Sequence, residues 1–191
     1  FDTVRIKEML NAGVEITTNQ VQYSLLDRRV ENSMSDLAQE HNIPYLCYGS
    51  IAGGFLSDRY LGTSDPTQPY ENRSLTKYRP IIDEFGGYNL FQELLKVLRT
   101  IADKYHVGVA EIASKYVLQK PMVASVIIGA RNNKHLNNLK KLDYFNLNND
   151  DLEAISKIID ISKGPYGPFY ELERDKTGKH GSIMKYNLNE S

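Results

Sequence analysis

Three short apolar runs, each no longer than a β-strand and each set between segments of helical spacing, restrict this chain more than any other feature. They lie in "EITTNQVQYSLL", "PYLCYGS" and "SVIIGARNNKH". The first offers Ile16, Val21 and Tyr23 as buried positions. The third is a β-branched run, Val126-Ile127-Ile128, that stops at Gly129. The segments around them read as helices. "VRIKEMLNAG" spaces Val4, Ile6, Met9 and Leu10 along one side and stops at Gly13, a usual residue just past a helix end. "NSMSDLAQEHNI" sets Met34, Leu37 and Ala38 together, and "YNLFQELLKVLRTIADKYHV" repeats Leu90, Leu94, Leu98 and Ile101 every three or four residues. "VAEIASKYVLQKP" stops before Pro121, and "KHLNNLKKL" comes after the third run. "NNDDLEAISKIIDI" has an amide N-cap, an acidic first turn and an apolar face of Leu152, Ile155, Ile158 and Ile159. Residues 52–88, rich in glycine, proline and tyrosine without a clear period, predict a long functional loop or a disordered stretch rather than a plain connection. From Gly164 the chain becomes a polar and aromatic tail.

Strands alternating with helices predict α/β architecture with a parallel sheet. Ligands of such sheets sit at the carboxyl ends of the strands, and in a βα barrel the last two strands often hold phosphate. Each predicted strand ends in candidate ligand groups: Asn19-Gln20, Tyr48-Gly49-Ser50, and Gly129-Ala130-Arg131-Asn132. The net charge of -1 gives no electrostatic footprint for nucleic acid. No apolar run approaches the ~18–20 residues of a membrane span, so no membrane partner is expected, and one cysteine, Cys47, excludes a disulfide framework. A cytoplasmic protein is the expectation. No His/Asp/Glu cluster has metal-ligand spacing, and neither a Gly-x-Ser-x-Gly nor a P-loop pattern occurs. The first residue is Phe1 rather than Met, which leads us to expect a piece of a longer chain.

The ordered set "TTNQVQYSLLDRR", "IPYLCYGSIAGGFLSDRY" and "SVIIGARNNKHLNNL", with "DLEAISKI" after it, resembles the second half of an aldo-keto reductase. Even the opening "FD" and the helix after it match the segment next to that family's fifth strand. The resemblance implies a (β/α)8 TIM barrel, present here as a C-terminal partial barrel over residues 1–163, with residues 164–191 as tail. The three strands would be the sixth, seventh and eighth. It also implies NADP(H) as cofactor and a small-molecule carbonyl as substrate. On this resemblance Gln20, beside Asn19, matches the amide that hydrogen-bonds the nicotinamide carboxamide, and Tyr48 matches the aromatic residue that stacks on the nicotinamide ring. Gly49, Ser50 and Ile51 stand where the family has Ser-Pro-Leu near the pyrophosphate, which implies backbone rather than hydroxyl contact at the first position. Gly53 and Gly54 would keep the next stretch close to the dinucleotide. Ile128, Gly129, Ala130 and Arg131 would approach the adenosine 2′-phosphate, Arg131 with a planar guanidinium suited to it. Lys134 or His135 would add charge, and Asn138 matches an adenine-contacting amide.

Carbonyl reduction needs an acid to protonate the forming alkoxide. The family's Tyr, Lys, Asp and His come from the first half of its barrel, and none of the residues here matches them, so no catalytic residue is assigned. Three strands of an eight-stranded barrel would leave two open edges and an uncovered inner face, in a chain shorter than the about 250 residues typical of the fold. The expectation is low stability and weak NADPH binding by the chain alone. Two other readings stand beside the reductase half: a non-catalytic NADPH-binding subunit resembling potassium-channel β subunits, and an inactive truncated product. Tyr60, Tyr70, Tyr78 and Phe85 either line a pocket or pin the 52–88 segment. Tyr166, Phe169 and Tyr170 of the tail are further pocket candidates.

Overall fold

The computed structural model describes residues 1–129 and 136–184. Helix α1 (Thr3–Asn11) is opened by Asp2, whose carboxylate accepts from the backbone N–H of Arg5 at 2.8 Å, an N-cap that satisfies one of the free donors of the first turn. Strand β1 (Asn19–Gln22) is next, then α2 (Ser33–Glu40), which buries Met34, Leu37 and Ala38, and β2 (Tyr45–Tyr48). After β2 come α3 (Arg73–Phe85), α4 (Tyr88–Tyr105), α5 (Val109–Leu118) and β3 (Val123–Ile127). A short α6 (Leu136–Leu139), α7 (Asn149–Ile159) and α8 (Glu171–Arg174) complete the order. The expected alternation of strands and helices is what forms.

The sheet is parallel throughout, in the order β1-β2-β3. In-register neighbours of a sheet project to the same side, and successive residues alternate. Asn19, Val21, Tyr45 and Cys47 therefore share one face, and all four are buried against the helices. Gln20, Gln22, Leu46, Tyr48, Ser125 and Ile127 share the other. There Gln20 and Ser125 are exposed and Ile127 is 43% exposed. The uncovered inner face expected of a partial barrel is thus present, except at its carboxyl end, which α3 and residues 169–184 cover.

Two details differ from the sequence reading, and one choice it left open is decided. The 52–88 segment is not a continuous loop: it contains α3, which buries Leu75, Tyr78, Ile81, Ile82 and Phe85 at helical spacing. Pro80 inside the helix hid that period, because a proline lacks the N–H that would bond one turn back. Asn72 caps α3 by accepting from the Leu75 N–H at 3.1 Å. Of the two roles open to the aromatic side chains of this segment, the structure selects pinning. Tyr60, Tyr78 and Phe85 are core residues, and Tyr70 meets Phe55 edge-on at 6.5 Å. Finally, Asn19-Gln20 begins β1 rather than ending it; the carboxyl end of that strand is Gln22.

Candidate active site

The open carboxyl end of the sheet brings together residues that are far apart in the chain. Tyr48 closes the central strand with its ring half-buried. Its hydroxyl lies 3.3 Å from that of Tyr170, which also donates to the backbone carbonyl of Gln20 at 3.5 Å. The tail therefore bridges the two positions assigned to the nicotinamide. Burial, above all, pushes the Tyr48 and Tyr170 hydroxyls up from their ordinary value, so neither is an activated acid. Of the other tail aromatics, Phe169 is buried beside Tyr170 at 4.1 Å between ring centroids, and Tyr166 is exposed.

Beneath this layer lies an ionic cluster with no counterpart in the sequence reading. Arg29 donates from Nε to Asp27 Oδ1 at 2.9 Å and from Nη2 to Asp27 Oδ2 at 2.8 Å. It also donates to Glu173 Oε1 at 2.6 Å and Oε2 at 3.2 Å. Gln22 Nε2 donates to Asp27 Oδ2 at 2.7 Å, fixing the amide and leaving its Oε1 buried without a partner among the described residues. Arg29 and Glu173 are 144 residues apart. The clamp is how the tail is held across the strand ends. Asp2–Arg174 and His180–Glu84, the latter at 2.8 Å, fasten it at either side. The only local sign of the cluster is the Asp-x-Arg of "LLDRR"; nothing local in "ELER" points to its partner.

The assigned cofactor residues fall into three groups. Gln20, Tyr48 and Gly129 lie open or half-open at the sheet, and a side-chain atom added at Gly129 would meet nothing within 4 Å among the described residues. Ile128 and Asn138 are half-buried nearby in the chain order. A second group is turned away. Asn19 faces the helices, is buried, and donates from Nδ2 to the Phe1 carbonyl at 3.2 Å, so it is withdrawn from the site as a correction to the sequence reading. Ser50 is buried with Oγ 3.4 Å from Ser114 Oγ, which leaves its hydroxyl engaged and only its backbone to offer. Ile51 packs on the core. Gly49 and Gly53 have left-handed φ of 73° and 67°, and the space their missing side chains leave is taken by α3: at Gly49 by the Tyr78 hydroxyl, at Gly53 by Tyr78 Cδ2 and the Ser74 backbone. Their closeness is used by a helix, where the sequence reading expected a dinucleotide. The third group, Ala130, Arg131, Lys134 and His135, lies outside the described residues.

Cys47 is buried and its thiol is pushed up to about 12 by burial, which leaves it unreactive. Among the described residues no group of His, Cys, Asp and Glu is arranged to hold a metal ion, and no helix is long and apolar enough to cross a membrane.

The model of the aldo/keto reductase family matches residues 1–160. The chain belongs to that family. It is 26% identical over 165 residues to the aldo-keto reductase YhdN of Bacillus subtilis, covering 84% of this chain and 48% of that protein. It is 33% identical over 119 residues to flagellar radial spoke protein 5 of Chlamydomonas reinhardtii, covering 61% of this chain and 22% of that one. Among solved structures, the glycerol dehydrogenase AKR11B4 of Gluconobacter oxydans superposes with a TM-score of 0.72 at 21% identity, over 88% of this chain and 50% of that one. The holo form of aldo-keto reductase AKR11C1 from Bacillus halodurans gives 0.60 at 26% identity, over 83% and 47%. The chain thus spans about half the length of these reductases, and its fold is the corresponding part of the family's barrel.

Proposed function

We propose that this chain supplies the cofactor-binding part of an NADPH-dependent reductase of aldehyde or ketone carbonyls. Membership of the aldo/keto reductase family supports the reaction class. The observation that carries the reading is the pairing of Tyr48 with Gln20: they share the inner face of adjacent parallel strands and are bridged by the Tyr170 hydroxyl. When bound, NADPH supplies the hydride. Gln20 would orient the carboxamide, Tyr48 would present one face of the ring, and Gly129 with the residues after it would admit the 2′-phosphate. Among the described residues no atom lies within 4 Å of the place a side chain at Gly129 would take, which fits such an approach. At Gly49 and Gly53 helix α3 stands over the backbone and must shift or be skirted. The proton donor for the alkoxide would come from the part of the barrel that this chain does not span, because the tyrosines beside Tyr48 are raised by burial and none is paired with a salt-bridged lysine.

The reading is tested by titrating the chain with NADPH and NADH by calorimetry. NADPH is expected to bind with a weak dissociation constant and more tightly than NADH. Tyr48→Ala should weaken it by the about 0.5–1.5 kcal/mol of an aromatic stack, roughly 2–12-fold. NADPH binding indifferent to both Tyr48→Ala and Gln20→Ala would remove the assignment. A cooperative melt together with micromolar NADPH affinity, or turnover of aldehydes by the chain alone, would overturn the view that the rest of the barrel is needed.

A further inference from the structure

Helix α3 carries a cation for which the described structure holds no counter-ion. Lys77 sits with Nζ 5.0 Å from the centre of the Tyr48 ring and 5.1 Å from that of Tyr78. Its neighbours in charge behave differently: Arg79 pairs with Asp65 and Asp83, Arg99 with Asp58 and Asp103, and Lys104 with Asp151. Among the described residues Lys77 has no ion pair. The nearby carboxylates, Asp27 and Glu173, are turned onto Arg29. Burial is the main reason its ammonium is held below the ordinary lysine value, with Asp27 and Glu173 acting against that from a distance.

We propose that Lys77 is the recognition point for an anionic group, a carboxylate or phosphate, on the carbonyl compound that binds beside Tyr48. The proposal names a substrate class for the function proposed above and rests on that reading for the role of Tyr48. An ammonium set against two aromatic faces, without an ion pair among the described residues, gains from an arriving anion, because much of the cost of removing it from water is already met by the fold. The Tyr48 ring that Lys77 faces carries its hydroxyl toward that of Tyr170, at 3.3 Å, so the ammonium and the candidate nicotinamide position belong to one neighbourhood. Lys77 lines one tight cleft with Gln22, Glu173 and His180, and Gln22 Oε1 is buried there without a partner among the described residues.

The competing role is structural: Lys77 offsets at longer range the net negative charge of two carboxylates and one guanidinium. The experiment separates the two by comparing para-formylbenzoate with para-tolualdehyde, near-isosteres that differ in charge, as ligands of the whole chain observed by NMR. The unaltered chain should bind the carboxylate about tenfold more tightly. Lys77→Met should erase that preference while the neutral aldehyde changes by less than about twofold, and Lys77→Arg should retain most of it. The proposal is overturned by equal binding of both compounds, by a preference that survives Lys77→Met, or by equal loss of both ligands with a lowered melting temperature. NADPH affinity, measured on the same variants, should not follow the carboxylate. If Lys77→Met weakens NADPH and leaves para-formylbenzoate alone, the anion is the cofactor's phosphate and the substrate assignment falls. If NADPH binds none of the variants, it is the proposed function that fails, while the carboxylate comparison still decides the role of Lys77.

Discussion

Replacing Arg29 by methionine should be among the most damaging single changes in this chain, and the structure says how damaging. The guanidinium is fully buried and makes four charge-assisted hydrogen bonds, two to each of two carboxylates. Methionine fills much of the same volume, so lost packing is a small part of the effect. What remains is a pair of carboxylates facing each other without their shared cation. Asp27 keeps the Gln22 amide and the Arg29 backbone N–H at 3.3 Å. Breaking a buried ion pair from one side costs about 3–5 kcal/mol, a large share of the roughly 5–15 kcal/mol that holds a typical domain together. Glu173→Gln keeps the side-chain shape but removes one charge and one of the two acceptors that Arg29 uses, so it should cost about 1–3 kcal/mol. The combination Arg29→Met with Glu173→Gln should be less harmful than the sum of the two, because the second change removes one of the charges the first had stranded. Urea unfolding monitored by far-ultraviolet circular dichroism gives all three values. A loss below about 1 kcal/mol for Arg29→Met, or strict additivity in the double variant, would mean that the cluster is solvated and does not clamp the tail.

Other expectations come from single contacts. Gly49→Ala should lose about 1–2 kcal/mol from its left-handed φ alone, plus an overlap with the Tyr78 hydroxyl and ring; in a Tyr78→Phe background only the hydroxyl's share of the overlap should be recovered, because Cζ stays 2.9 Å from the added carbon, and urea melts of the four chains check it. Gly54→Ala, whose φ is 110° with no atom within 4 Å of the added carbon, is the control for backbone strain alone. Asp151 caps α7 and meets Tyr105 Oη at 2.5 Å and Lys104 Nζ at 2.9 Å. Burial pushes its carboxyl up, but Tyr105, the Asn148 backbone N–H and Lys104 together hold it below the ordinary 3.8. Its stabilisation is therefore complete above about pH 4 and disappears as pH falls through the lowered value. Asp151→Asn should be less stable by about 1 kcal/mol at neutral pH, and the two chains should converge in acid. A gap that stays constant from neutral to strongly acidic pH would show that the charge of Asp151 contributes nothing.

Much of the architecture was legible in short windows, because the signals that decide it are short-range. The helical spacing of Leu94, Leu98 and Ile101, and the alternation that buries Tyr45 and Cys47 while half-exposing Leu46 and Tyr48, depend only on the 3.6- and two-residue periods of the backbone. Gln20 and Tyr48 were accessible from sequence only through the resemblance of their motifs to the family; that they share a face follows from the register of β1 on β2. Helix α3 was not, although its buried residues are correctly spaced, because Pro80 and the Gly86-Gly87 stop interrupt the pattern that would announce it.

The sequence by itself determined the family, the three strands and most of the helices between them, since each is written in local periodicity and in motifs a few residues long. The tertiary structure alone decided which groups meet at the strand ends. Asn19 turns to the helices because its register pairs it with Tyr45. The glycines after β2 receive Tyr78 because α3 folds back over them. Arg29 finds Glu173 across 144 residues. Contacts of that kind carry no local signature: a carboxylate in the tail looks solvated in sequence until the chain closes the loop that buries it against its cation.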